Sequence, residues 1–281
     1  EDVEVEFLAK QTPGFSGADI SNVCNEAALV AARKNKEVVE KQDFLDAVDR
    51  IIGGLEKRSK VIKPSEKRRI AYHEAGHATI GWLTEHAAPL IKVTIVPRGR
   101  SLGAAWYLPE ERQITTTEQL LDEMCMTMGG RAAEQVVLGN ISTGALSDLE
   151  KVTKQASAMV SIYGLNKEVG NVSYYDSSGQ NEYGFSKPYS EKTAQIIDEE
   201  VKAMIEAQYE RAKEILLANR NKLDILAEKL IEKEVIFRED LEEIFGKREF
   251  INELDKIEQQ EEDAIAAGPE QVIQPESGNN I

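Results

Sequence analysis

With 281 residues, 41% of them hydrophobic, the chain is long enough for one or two domains with real cores. A formal charge of −16 excludes the basic face that a nucleic-acid partner requires, and no apolar run approaches membrane-spanning length. Cys24 and Cys125 lie in apolar helical patterns without CxxC spacing, so both are expected to be small buried hydrophobes in a reducing compartment rather than a disulfide or a metal site.

The opening EDVEVE reads as a start cut from something longer, which places any membrane anchor upstream. Residues 1–54 form a small helical module. Ser16 and Asp19 make a capping box, and Ile20, Val23, Cys24, Ala27, Ala28 and Ala31 then share one apolar face. A second helix from Lys41 to Ile52 should bury Phe44, Leu45, Val48 and Ile51 before Gly53 and Gly54 stop it. The charged, breakerless stretch 55–64 is a connector into a second domain over 65–250.

That domain is organised around His73, Glu74, Ala75, Gly76 and His77. Pro64 followed by Ser65, as an N-cap hydroxyl, starts a helix that runs to about Glu85. Residues four apart on a helix share a face, so His73 and His77 can direct two imidazole nitrogens at one ion, at Zn–N distances of about 2.0–2.1 Å. Glu74, one residue on, can reach a metal-bound water without being a ligand; this is zinc-hydrolase geometry. The alternative, two packed or solvated helix histidines, must place two of the chain's three histidines in one such pattern by accident. His86, alone near the helix end, reads as a capping or surface residue.

Residues 90–97 alternate Ile91, Val93 and Ile95 against Lys92 and Thr94, a half-buried strand. Arg98 to Ser101 supplies a turn, and Ala104 to Leu108 returns as a second strand. Gly103, Ala104, Ala105, Trp106 and Tyr107 are the candidate edge to which an extended peptide could add; a purely structural hairpin fits equally well. Thr115 and Glu118 form a capping box for a long helix that Gly139 stops. Gly129 and Gly130 inside it cost roughly 1 kcal/mol each against alanine and so mark a close approach, with the HEAGH helix the obvious neighbour.

Ser147 and Glu150 make a third capping box, which puts Asp148 in the first turn of a further helix. Catalytic zinc wants three protein ligands, and both Asp148 and Glu134 are candidates for the third. A short carboxylate at a helix start is easily aimed, which slightly favours Asp148, but spacing alone leaves the choice open. Beyond Leu165 lies an irregular stretch with a possible strand at Val172 to Tyr174. Two amphipathic helices follow: one starts at Ser190 with Ile197, Val201, Ile205 and Gln208 on a face, and the other buries Leu223, Leu226, Leu230 and Ile231. The acidic, glutamine-rich tail 251–281 should be disordered.

TPGFSGADISNVCNEAALVAARKN followed by QDFLDAVDRIIGG resembles the helical lid of an AAA+ ATPase. AYHEAGHA, KVTIVPRG with LGAAWYLPEE, GGRAAE, and STGA before SDLEKVT resemble, in that order, the peptidase domain of the FtsH and AAA metalloprotease family. The similarity covers about residues 1–250, and GGLEK, EHAAPL, MCMTMGGR and KPYSE look most like its mitochondrial matrix-facing members. The resemblance implies a mainly α fold: a helical AAA+ lid, then a predominantly helical zinc peptidase domain with a small hairpin or sheet edge. It implies zinc held by His73, His77 and Asp148 with Glu74 catalytic, and backbone near Gly17 and Ala18 close to a nucleotide. The family further implies an ATP-dependent homo-hexamer that degrades unfolded polypeptides at a membrane. The bacterial inner membrane with this part in the cytoplasm is the first expectation, and the mitochondrial inner membrane facing the matrix the second. No G-x-x-x-x-G-K-[ST] occurs, so ATP is expected to serve only the full-length protein. The rival readings are a metal-stabilised assembly module and an AAA+ remodeller whose peptidase is inactive.

Overall fold

A computed structural model describes residues 15–53, 62–88, 90–97, 103–107, 114–174 and 188–250, with a few isolated positions before 15. The expected turn at Arg98 to Ser101, most of the connector and the tail from 251 lie outside the described residues. The chain divides into two compact units, Glu1–Arg248 and Glu249–Ile281, and the elements below all belong to the first.

Helix α1 (Gly17–Arg33) starts with the expected box: Ser16 Oγ accepts from Asp19 N, and Asp19 Oδ2 accepts from Ser16 N at 2.9 Å. Helix α2 (Lys41–Gly53) packs on it through a small cluster of Val23, Ala27, Ala47 and Val48, flanked by Phe15, Val39, Phe44 and Ile51. One partner helix covers only one residue per turn. Val23, Ala27 and Ala31 are buried, whereas Ile20, Cys24 and Ala28, expected on the same face, are exposed. Asp43 is fully buried; it accepts from Lys34 Nζ at 2.8 Å, Lys36 Nζ at 3.0 Å and the Glu40 amide at 3.1 Å.

Helix α3 (Pro64–Leu83) carries the HEAGH residues. Pro64 occupies the first helical position, where its missing N–H costs nothing, so the N-cap is Lys63 rather than Ser65 and makes no side-chain bond. Every residue from Ile70 to Trp82 is buried, as a helix must be when neighbours surround it on all sides. Around it lie α4 (Thr117–Ala133), α5 (Leu146–Ser161), α6 (Glu191–Ala218) and α7 (Arg220–Lys233), which share one apolar core with β1 (Leu90–Thr94). The first strand pairs antiparallel with β2 (Ala104–Tyr107) and, on its other side, with β3 (Val235–Phe237), which leads into α8 (Arg238–Phe245). Among the described residues the sheet order is β2-β1-β3, with β2 at one edge. The fold is mainly helical with one small sheet, as expected.

Several local expectations shift. The box opening α4 is Thr116 with Gln119, one residue later than Thr115 with Glu118, because three successive threonines offer equivalent hydroxyls and packing selects among them. At α5 the N-cap is Ala145 without a side-chain bond. Glu150 pairs with Lys154 at 2.6 Å instead, and a 3₁₀ turn, Thr143–Ala145, leads into the helix with Ser142 as its cap. Val172 to Tyr174 is not a strand; Tyr174 N donates to Ser161 O and its ring meets Tyr189 edge to face. Strand β3 and α8 were not legible, since three residues are too few to show a period. Between α4 and Gly139 (φ +71°) the chain forms a π turn, Glu134–Leu138.

The close approach marked by Gly129 is to Gly76. A Cβ at Gly76 would lie 2.4 Å from Gly129 O, and one at Gly129 would lie 2.8 Å from Gly76 O. Gly76→Ala gains helix propensity of about 1 kcal/mol but drives a methyl into backbone that cannot rotate away, so a net loss of about 1–3 kcal/mol is expected by denaturant titration. Asp43 offers a separate test. Burial works to raise its pKa, but Lys34, the Glu40 amide and Lys36 hold it down at about 2. Its contribution is therefore present above the unfolded value of about 4 and is lost as pH falls through about 2. The melting temperature of Asp43→Asn should fall below that of the wild type at pH 7, and the difference should close between about pH 4 and 2.

Candidate metal centre

The four-residue spacing on α3 brings His73 and His77 together, rings nearly perpendicular at 79° and Nε2 atoms 3.2 Å apart. The 3₁₀ turn swings the start of α5 under them. Asp148 Oδ2 lies 3.2 Å from His73 Nε2 and 3.6 Å from His77 Nε2. Among the described residues, these three form the one His/Cys/Asp/Glu group placed to share an ion.

The outer nitrogens are committed elsewhere. His77 Nδ1 lies 2.9 Å from Met126 O, and a carbonyl only accepts, so this nitrogen carries the hydrogen and Nε2 keeps its lone pair. His73 Nδ1 lies 3.0 Å from Glu134 Oε1. Burial acts to raise the Glu134 pKa, but bonds from His73, Ser142 and Arg69 hold it at about 2, so it too is an acceptor. With both imidazoles neutral, three acceptor atoms face one another, which requires a positive charge between them. Tetrahedral zinc with ligands at about 2.0–2.2 Å separates them by about 3.3–3.5 Å, close to the spacing found. Burial opposes charging His73, but Asp148 and Glu134 raise its pKa to about 10.

Glu134, one of the two candidates for the third ligand, therefore stands behind His73, on the nitrogen facing away from His77, while Asp148 occupies the corner shared by both rings. Neither the π turn that carries Glu134 nor the Met126 carbonyl left a signal in the sequence. Gly130 did, as half of the glycine pair marking a close approach to α3: a Cβ there would lie 2.5 Å from His73 Nε2, so the ring rests on bare backbone.

Glu74 is buried beside the histidines, and its pKa is raised by that burial against the opposing pull of His77 and His73. Its carboxylate lies against Gly103, just before β2, where a Cβ would come within 2.7 Å of Oε1. Ala104 to Tyr107 follow as the edge strand, with Tyr107 opposite Leu90 and Trp106 opposite Lys92, whose Nζ sits 5.1 Å over the indole. The Tyr107 hydroxyl and Trp106 Nε1 are buried and meet no hydrogen-bond partner among the described residues. Gly17 and Ala18 lie exposed in the first turn of α1. His86 stands outside the cluster; its amide donates to Asp122 Oδ2 at 3.0 Å.

Two histidines one turn apart and a convergent aspartate form a group that could hold a metal ion, with a buried glutamate adjoining it on the central helix. Comparison with known families agrees. Peptidase family M41 matches residues 60–244 and the AAA+ lid domain matches residues 2–46. The chain belongs to peptidase family M41. It is 63% identical over 264 residues to the ATP-dependent zinc metalloprotease FtsH of Parabacteroides distasonis, covering 94% of this chain and 38% of that protein. FtsH of Rhodothermus marinus is 51% identical over 297 residues, with 99% and 42% covered. A mitochondrial inner membrane m-AAA protease component of Mus musculus is 52% identical over 243 residues, with 86% and 31% covered. The chain thus spans about two fifths of the length of its bacterial relatives.

The Gly103 contact yields a prediction. In Gly103→Ala the added methyl must displace the Glu74 carboxylate, and a displacement near 1 Å costs on the order of 100-fold in rate. Peptide cleavage should fall by about that factor with thermal stability nearly unchanged, because the atom pushed aside is the end of a side chain.

Proposed function

We propose that this chain is the zinc-dependent endopeptidase part of an ATP-dependent, membrane-anchored protease, with a lid over residues 1–54 and the peptidase domain over 65–250. The observation carrying this reading is the meeting of His73 Nε2, His77 Nε2 and Asp148 Oδ2 with Glu74 one residue along α3. A zinc ion held by those three atoms would act as a Lewis acid on a peptide carbonyl and bring the pKa of a bound water towards about 7. Glu74 takes the proton from the attacking water and returns it to the leaving amine, a task that suits a carboxylate whose pKa burial has raised. Met126 O and Glu134 hold the imidazoles in the tautomer that turns Nε2 inward.

An extended polypeptide would add alongside β2, from Gly103 through Ala104, Ala105 and Trp106 to Tyr107. The position of Gly103 against Glu74 favours this edge, since a strand added there passes beside the general base. In the full-length protein, ATP bound near Gly17 and Ala18 would drive unfolded chains to these sites within a homo-hexamer. That protein would sit in the bacterial inner membrane with this portion in the cytoplasm, or in the mitochondrial inner membrane facing the matrix. No described helix is itself long and apolar enough to cross a membrane. A purely structural zinc site would need a fourth protein ligand, and the described cluster holds three.

Glu74→Gln tests the assignment. The variant should bind as much zinc as wild type by metal analysis and cleave casein about 100- to 10,000-fold more slowly, while a chelator should abolish cleavage by the wild type. Undiminished cleavage by Glu74→Gln would overturn the role given to this residue.

A further inference from the structure

Arg69 lies one helical turn before His73 on α3, and the two residues reach the same carboxylate. Arg69 Nη1 donates to Glu134 Oε2 at 2.8 Å, while His73 Nδ1 meets Oε1 at 3.0 Å. The guanidinium also donates to Asn140 O at 3.1 Å and Asn140 Oδ1 at 2.6 Å, and Ser142 Oγ donates to Glu134 Oε1 at 3.0 Å. One arginine therefore ties α3 to the π turn and to the loop that leads through the 3₁₀ turn to Asp148.

The bonds from His73 and Ser142 both fall on Oε1 and by themselves leave the Glu134 carboxylate able to turn about that oxygen, because the terminal torsion of a glutamate is broad. Anchoring the second oxygen fixes the plane, and a forked guanidinium does so while holding a second partner. Glu134 is almost fully buried, whereas the Arg69 side chain is 31% exposed, so the arginine also connects a buried anion to solvent.

We infer that Arg69 is a positioning residue for the metal centre: by fixing Glu134 it turns His73 so that Nε2 faces His77 and Asp148, and it thereby sets how tightly the ion is held. The inference rests on the zinc reading given above. It also predicts the sign of an effect. A cation near a divalent ion repels it, so removing an arginine that was only a bystander would tighten zinc binding. Removing one that positions a ligand must loosen it.

The experiment measures zinc affinity of the 281-residue chain by chelator competition, with thermal unfolding of the metal-free protein as the control for folding. Arg69→Met should hold zinc about tenfold more weakly, at the low end of the 10- to 100-fold range for partners that orient a metal-bound histidine. In a Glu134→Gln background the same substitution should add less than about twofold, because both act through one contact. Zinc bound by Arg69→Met as tightly as by wild type, or more tightly, overturns the inference, and so does an equal loss in both backgrounds. Should Arg69→Met fail to fold, Arg69→Lys carries the same test: it keeps the charge and loses the fork to Asn140, and it too should release zinc more readily. If the wild type takes up no zinc at all, the metal reading fails and this inference falls with it.

Discussion

Two helices can touch backbone to backbone only where neither carries a Cβ, and the metal centre exists because α3 and α4 do so at Gly76 and Gly129. At that separation the His73 ring has room only because the next residue of α4, Gly130, is also bare. The same closeness brings the Met126 carbonyl within reach of His77 Nδ1. That carbonyl lies mid-helix, and its second lone pair is open to a side chain only if the side chain comes from very near. One backbone contact thus sets the depth of one imidazole and the tautomer of the other.

Placing this cluster in the core has an electrostatic cost. His73, Glu74, His77 and Glu134 are all buried, in a region otherwise lined by residues such as Tyr72, Ile80, Met124 and Met159. Buried carboxylates survive only when paired. Glu134 has Arg69, Ser142 and His73; Asp148 has the two imidazoles; Glu74 makes no such bond among the described residues, and burial raises its pKa. The three carboxylates are thus set at different levels by their surroundings. Two are held ionised, and the third is pushed up by burial, the kind of separation by environment that lets neighbouring carboxylates differ in behaviour.

Much of this was legible because it is local. The facing of His73 and His77 follows from helical periodicity alone, and two adjacent glycines inside a helix signalled a close neighbour because they cost helix stability unless something is gained. What stayed hidden depends on contacts distant in sequence. The π turn is selected by bonds from elsewhere: Arg220 Nη1 donates to Val136 O, and Arg69 holds Glu134 and Asn140. No property of Glu134–Leu138 alone favours a π turn over continued α-helix. The choice between Asp148 and Glu134 was open for the same reason, since each is one carboxylate in a helical segment and only the fold decides which nitrogen it meets. The cap of α4 lies one residue on because three threonines stand side by side, and the buried face of α1 is narrower than its apolar pattern because among the described residues α2 alone packs on it.

The division between helix and sheet explains how one centre can be both rigid and general. The groups that would hold an ion sit on α3 and at the start of α5, with Glu134 and the Met126 carbonyl behind the imidazoles, tied together by hydrogen bonds. What would meet a polypeptide is the edge of β2, where recognition runs through main-chain N–H and C=O groups that every residue except proline offers in full. Gly103 joins the two parts, for it lies just before the strand and against Glu74. A side chain at that point would separate Glu74 from the strand beside it, so the lack of a Cβ there lets the start of β2 lie next to the histidine cluster.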